Sequence, residues 1–186
     1  MNDRDAYLTE YSSENVVKVY SAQSAGRGIQ YNLAHVYGKV YSDTLDAVLS
    51  HIGGIRPISI LEYGCGAGMN LIYLVRLLMT KKIPLEKAIG TDFSQRLIEA
   101  ASLECSVLNS SEYKSKIQFL VASNESLLED LTKQLSVTSN SICKTFDLII
   151  GVNTFRYACR LSMQHKCAQD IAALLAAGGY TIMIDM

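Results

Sequence analysis

The chain has 186 residues, the length of one domain with enough material to bury a core, and is 49% hydrophobic and 19% charged with a net charge of −1. That balance excludes a disordered chain, and it supplies no strongly basic face, so neither nucleic acid nor an anionic membrane is expected as a partner. No leader of signal-peptide type opens the sequence and no run of about 18 apolar residues could span a bilayer, so the expected compartment is the cytoplasm.

The first 57 residues read as a helical N-terminal cap or lid. Helical stretches near Glu14 to Ser21 and Tyr31 to His51 are punctuated by Gly26 and Gly28, and tyrosines are frequent. From Ile58 onward short β-like runs alternate with longer helical ones. "SILEY" is the first strand; after three glycines "MNLIYLVRLLMT" is apolar on nearly every side, as a helix packed on a sheet must be. Lys81 and Lys82 suit its C-terminal end and Pro84 stops it. "AIGTD" is the second strand, and "SQRLIEAASLEC" a helix with Ser94 as N-cap and Leu97, Ile98 and Ala101 on one face. "IQFLV" is the third strand and "ESLLEDLTKQL" its helix, followed by a Ser/Thr/Asn-rich loop at Val137 to Ser141. "FDLIIG" is a fourth, fully buried strand, "LSMQHKCAQDIAALLAA" a helix closed by Gly178 and Gly179, and "YTIMIDM" the fifth strand. The alternation predicts an α/β core over residues 58–186, a doubly wound, mainly parallel sheet with helices on both faces, preceded by the cap of residues 1–57.

In such a sheet ligands sit beyond the carboxyl ends of the strands, where Gly64, Gly66 and Gly68 fall. A dinucleotide fold wants G-x-G-x-x-G, with the last glycine receiving a pyrophosphate; here that position is Met69, which disfavours a nicotinamide cofactor. A phosphate loop would need a Gly-Lys-Ser/Thr ending, which is lacking. Glu62 precedes the first glycine and would repel a phosphate, while Asp92 closes the second strand at the separation from which an acid reaches a ribose diol. The combination points to a ligand with a ribose and a positively charged or zwitterionic end.

The set "LEYGCGAGMN", "IGTDFSQRLIEAA", "FDLIIGVNTFRYA" and "LLAAGGYTIMID" resembles the motifs of class I S-adenosylmethionine-dependent methyltransferases over Ile58 to Met186. The resemblance implies S-adenosyl-L-methionine as cofactor, S-adenosyl-L-homocysteine as product, and an acceptor attacking the methyl group in line. It implies that Gly64, Cys65, Gly66 and Gly68 wrap the methionine and ribose, with Glu62 on nearby amides or the cofactor's amino group. It implies further that Asp92 holds the ribose hydroxyls and Phe93 lies against the adenine, while Gly151, Val152 and Asn153 flank the sulfonium and the nucleophile. After the third strand, where such enzymes often place an acid on the adenine amino group, this chain has Ser123 and Asn124.

"VVKVYSAQSA" resembles the short helix that closes over the cofactor in many small-molecule methyltransferases, with Tyr20 as lid residue. Arg27, Tyr31, His35, Tyr37 and Tyr41 are candidates for the acceptor pocket, although tyrosines at helical spacing also serve simple packing. Arg156 and Tyr157 either anchor an acidic or aromatic acceptor or form a surface pair and a packed ring. His165 reads as a surface residue, and no residue announces itself as a general base. The five cysteines, Cys65, Cys105, Cys143, Cys159 and Cys167, form no CxxC pair, so free thiols and no metal are expected, with Cys65 and Cys159 as packing residues.

The family's sheet has seven strands, whereas this sequence stops on its fifth; truncation is the expected cause. An open fifth-strand edge would invite a homo-oligomer or another partner. The reading is therefore methyl transfer to a small organic acceptor, the alternative a methyltransferase-like noncatalytic binding or regulatory subunit that pairs through that edge.

Overall fold

A computed structural model describes residues 37–185 except 107 and 161, together with Thr9, Ala34 and His35. The expectations for Tyr20, Arg27, Tyr31 and the stretch Glu14 to Ser21 lie outside the described residues. Helix α1 (Gly38–His51) leads into β1 (Ile58–Tyr63), α2 (Met69–Lys81) and β2 (Leu85–Asp92). Then come α3 (Gln95–Cys105), the short α4 (Ser111–Lys114), β3 (Ile117–Val121), α5 (Leu127–Gln134) and the short α6 (Ser139–Ile142). β4 (Phe146–Val152), α7 (Phe155–Arg160), α8 (Gln164–Leu174) and β5 (Leu175–Ile184) complete the order.

All five strands are parallel, in the order β3-β2-β1-β4-β5, which is the α/β doubly wound sheet that the alternation predicts. Successive strand side chains point to opposite faces, and the central strands β1 and β4 are covered on both, so they are buried almost throughout, whereas the edge strand β5 leaves several residues exposed. Ile60, Leu148 and Ile150 pack with Tyr41, Leu45, Leu71, Leu74 and Leu78 of α1 and α2 on one side. Leu61, Ile89 and Ile149 pack with Leu127, Leu131, Cys167 and Ile171 of α5 and α8 on the other. At the amino ends of the strands, Asp147 is 5% exposed, accepts from the Ser59 amide (2.8 Å) and pairs with Arg56 (2.6 Å), fixing β1 against β4.

Three expectations are corrected. β2 starts three residues before Ala88, because Leu85 pairs with Ile58 and buries its side chain. The loop at Val137 to Ser141 contains the start of α6, whose Ile142 is buried. Ser94 is the N-cap of α3 as expected, though its side chain makes no capping bond; its amide donates to Asp92 Oδ1 (2.9 Å). The helix expected through Ala177 ends at Leu174, and "LAAGG" belongs to β5, since the Lys144 and Thr145 amides donate to Ala173 and Leu174 and Leu175 pairs with Phe146. Gly178 then adopts φ 74° with the His51 ring where a Cβ would stand.

Candidate active site

Strand order reverses at β1, whose neighbours are β2 and β4, so the loops after these strands diverge and leave a crevice. A cleft of about 250 Å³ opens there. Its walls come from the turn after β1 (Gly64 to Ala67, Met69, Asn70), from Asp92, Phe93 and Leu97 after β2, from Asn124 after β3, and from Val152 to Thr154 with Arg156 and Tyr157 after β4; Tyr37, just before α1, closes the rim.

The three turn glycines have positive φ, 63° at Gly64, 53° at Gly66 and 77° at Gly68, but what surrounds them differs. A Cβ on Gly64 would overlap the side chain of Thr154, and one on Gly68 would stand 2.7 Å from the Phe119 ring. Beside Gly66 there is nothing within 4 Å. Gly64 and Gly68 therefore answer to packing and Gly66 leaves its backbone open to a ligand.

Asp92 ties this open residue in place. Its Oδ2 accepts from the Gly66 amide at 3.0 Å and its Oδ1 from Ser94, so each oxygen keeps one lone pair for the cleft it lines. The carboxyl is 6% exposed, and burial raises its pKa against the lowering effect of those two amides. Glu62 lies behind the turn, fully buried, accepting from the Leu71 amide (2.9 Å) and Asn70 Nδ2 (3.2 Å). Burial pushes its pKa up to about 8, opposed by Asn70 and Leu71 and reinforced by Asp92. Across the cleft, Asn124 Oδ1 is buried and accepts no hydrogen bond from a described residue. An open glycine, a carboxylate with spare lone pairs and an unsatisfied amide oxygen together suit a ligand with hydroxyls and an amino group.

Against this geometry the comparisons with known proteins are decisive. The profile of the methyltransferase domain family matches residues 57–186.

The chain belongs to that family.

No curated protein matches it by sequence. Among solved structures it is similar to a carbon methyltransferase, DszA (TM-score 0.61, 20% identity, 90% of this chain and 38% of that one). It is similar also to the complex of the Haloferax volcanii Trm112 methyltransferase activator with a methyltransferase (0.54, 17%, 91% and 58%). A SAM-dependent methyltransferase from Aquifex aeolicus is a third likeness (0.52, 19%, 78% and 63%). The chain thus spans less than two thirds of the length of each, and at these identities the likeness is one of fold, the class I methyltransferase fold.

Within the methyltransferase domain, Gly64, Cys65, Gly66, Asp92, Phe93, Asn124, Val152, Asn153, Arg156 and Tyr157 all line the cleft, and Tyr37, before that domain, lines it too. Glu62, Gly68, Ser123 and Gly151 do not. Ser123 instead donates its amide to Asp130 (2.8 Å) at the start of α5, and Gly151 makes room for the Tyr63 ring. Tyr41 is fully buried with its ring 5.9 Å from that of Tyr73 and its hydroxyl on Asn70. His35 and His165 are exposed, Cys65 is buried with a raised pKa from burial, and all five cysteines are free. Arg156 lies over the Tyr157 ring (5.0 Å to the centroid) and donates to its hydroxyl at 3.3 Å.

Sequence reasoning missed Asn70, Leu97 as a cleft residue, and Thr154. The Thr154 hydroxyl donates to Val152 O at 3.1 Å and also lies 3.4 Å from Gly64 O, joining the turn after β1 to the loop after β4. Asn153 reinforces that loop with φ 55° and an amide donated to Ile184 at 2.6 Å. A contact across 90 residues leaves no local pattern; a polar residue two places after a catalytic-end strand was the one available hint.

Proposed function

We propose that the cleft binds S-adenosyl-L-methionine and that the domain transfers its methyl group to a small organic acceptor, releasing S-adenosyl-L-homocysteine, with alignment supplying most of the catalysis. The observation that carries this reading is Asp92 holding the open Gly66 while keeping lone pairs toward the cleft, the arrangement a ribose diol needs. Asn124 Oδ1 supports it, since an adenine amino group would satisfy that buried acceptor; Phe93 and Leu97 supply apolar walls for the ring.

When bound, the cofactor supplies a methyl group on a cationic sulfur, which an acceptor lone pair displaces in line. The protein's part is to fix the two partners and exclude water. Val152 and Asn153, held by Thr154 and by the Ile184 carbonyl, flank the transfer point, and Tyr37, Arg156 and Tyr157 face the acceptor, favouring an acidic or aromatic one. The domain acts in the cytoplasm, consistent with its free thiols. Binding of labelled cofactor to the variant Asp92→Ala with Gly66→Val tests the reading: affinity should vanish, and unchanged affinity would sink it.

A second reading rests on β5. This ten-residue strand pairs with β4 and with no other described strand, and Tyr180 and Met183 are exposed on it. A noncatalytic subunit could hold a homo-oligomeric or other partner along that edge. Light scattering alongside methyl transfer from labelled cofactor separates the two: turnover by a monomer rejects the scaffold.

A further inference from the structure

The Glu62 carboxylate reaches past the glycine turn to α1 through one amide. Asn70 Oδ1 accepts from the Tyr41 hydroxyl at 3.0 Å, while its Nδ2 donates to Glu62 Oε1 at 3.2 Å. Tyr41 and Glu62 are both fully buried, so neither has water to fall back on. Asn70 itself lines the cleft, and Nδ2 carries a second N–H. One turn before Tyr41, Tyr37 lines the same cleft, with the two rings 6.1 Å apart. α1 has other ties to α2, the Tyr41–Tyr73 ring contact and the Lys81–Asp46 pair at 2.9 Å, but these do not reach the cleft.

We propose that Asn70 is a positioning residue that couples the seating of α1 to the glycine turn, so that a cofactor in the cleft and Tyr37 at its rim stabilise one another. The ligand assignment rests on the function proposed above; the coupling itself rests on the Tyr41–Asn70–Glu62 chain. The chain as it stands belongs to the ionised carboxylate. With Glu62 ionised, Asn70 donates to it and accepts from Tyr41; with Glu62 protonated, a flipped amide would accept from the carboxyl but leave the buried Tyr41 hydroxyl without its acceptor. A cationic ligand favours the ionised arrangement. The groups that face Glu62 are Tyr41 from α1, Asn70 from α2, Cys65 from the turn and Asp92 from β2, and its shift has no lysine or arginine among its causes.

Amide hydrogen exchange and cofactor binding on the full chain, with Tyr41→Phe, Asn70→Leu and the double variant, test the proposal. Tyr41→Phe keeps the ring packing and removes only the hydroxyl. In ligand-free protein it should speed exchange at the Leu71 amide, which Glu62 holds, whether or not Asn70→Leu folds. Asn70→Leu should weaken S-adenosyl-L-methionine by about tenfold and Tyr41→Phe by about threefold, with the double variant no worse than Asn70→Leu alone. Affinity should rise with pH through about 8 in the wild type, and at higher pH in Asn70→Leu, which has lost a donor that lowers the Glu62 pKa. Exchange at Leu71 unchanged by Tyr41→Phe overturns the coupling, as do strictly additive losses with an unmoved pH profile. If the wild type binds neither S-adenosyl-L-methionine nor S-adenosyl-L-homocysteine while Tyr41→Phe still speeds Leu71 exchange, the coupling stands and the cofactor assignment falls.

Discussion

Gly64 and Gly66 share a backbone conformation and differ in their neighbours, so substitution separates stability from binding. Alanine at either residue meets the left-handed penalty of about 1–2 kcal/mol. At Gly64 the added methyl also overlaps Thr154, an overpacking cost of about 1–3 kcal/mol. Gly64→Ala should therefore lower the urea midpoint more than Gly66→Ala, and Thr154→Ala should restore part of the loss. Gly66→Ala, by contrast, should impair cofactor binding with a smaller change in stability. Glu62 gives a second prediction at this scale. Its carboxyl titrates at about 8 when folded against 4.5 as the ordinary value, so between those pH values the unfolded chain binds fewer protons. Stability contributed at low pH is then lost as pH rises from about 4.5 to about 8, on the order of a few kcal/mol. Glu62→Gln should flatten that slope in denaturant titrations at pH 5 and pH 8.5, and an unchanged slope would show that Glu62 stays ionised in the fold.

At the scale of elements, the first strand, glycine turn and helix were legible because the chemistry is local. Strand propensity, positive-φ glycines and an all-round apolar helix sit within 23 residues of each other, and Asp92 follows at the end of a strand that pairs beside it. The end of α8 was not legible. Leu175, Ala176 and Ala177 favour a helix locally, but pairing of Leu175 with Phe146 ends α8 there, and the chain passes through an irregularity into the register that resumes at Leu148 and Tyr180. Asn70 and Thr154 escaped for the same reason, since their partners Tyr41 and Gly64 lie 29 and 90 residues away. The amino ends of the strands yield a further prediction. Arg56 is 48% exposed, so its pair with Asp147 contributes little, whereas the Ser59 amide is buried against that carboxylate. Asp147→Ala should cost about 1–3 kcal/mol through the orphaned amide, and Arg56→Ala under about 1 kcal/mol, both read from urea midpoints.

For the whole molecule, the methyltransferase domain is a sheet with a cleft at the strand-order reversal and a long strand at one edge. α1 bridges these regions: Tyr41 reaches the glycine turn through Asn70, and His51 packs on Gly178 and Tyr180 of β5. Among the described residues no helix is long and apolar enough to cross a membrane. Asp92 organises the S-adenosyl-L-methionine site proposed for the cleft. Calorimetric titration of S-adenosyl-L-methionine and S-adenosyl-L-homocysteine into the wild type and Asp92→Ala, with melting temperatures measured in parallel, tests it most directly. Saturable one-to-one binding of both ligands to the wild type is expected, with a loss of at least about a hundredfold in a folded Asp92→Ala, because a buried charged acceptor is removed. Equal affinity in the two proteins, or no binding to a folded wild type, would contradict this assignment.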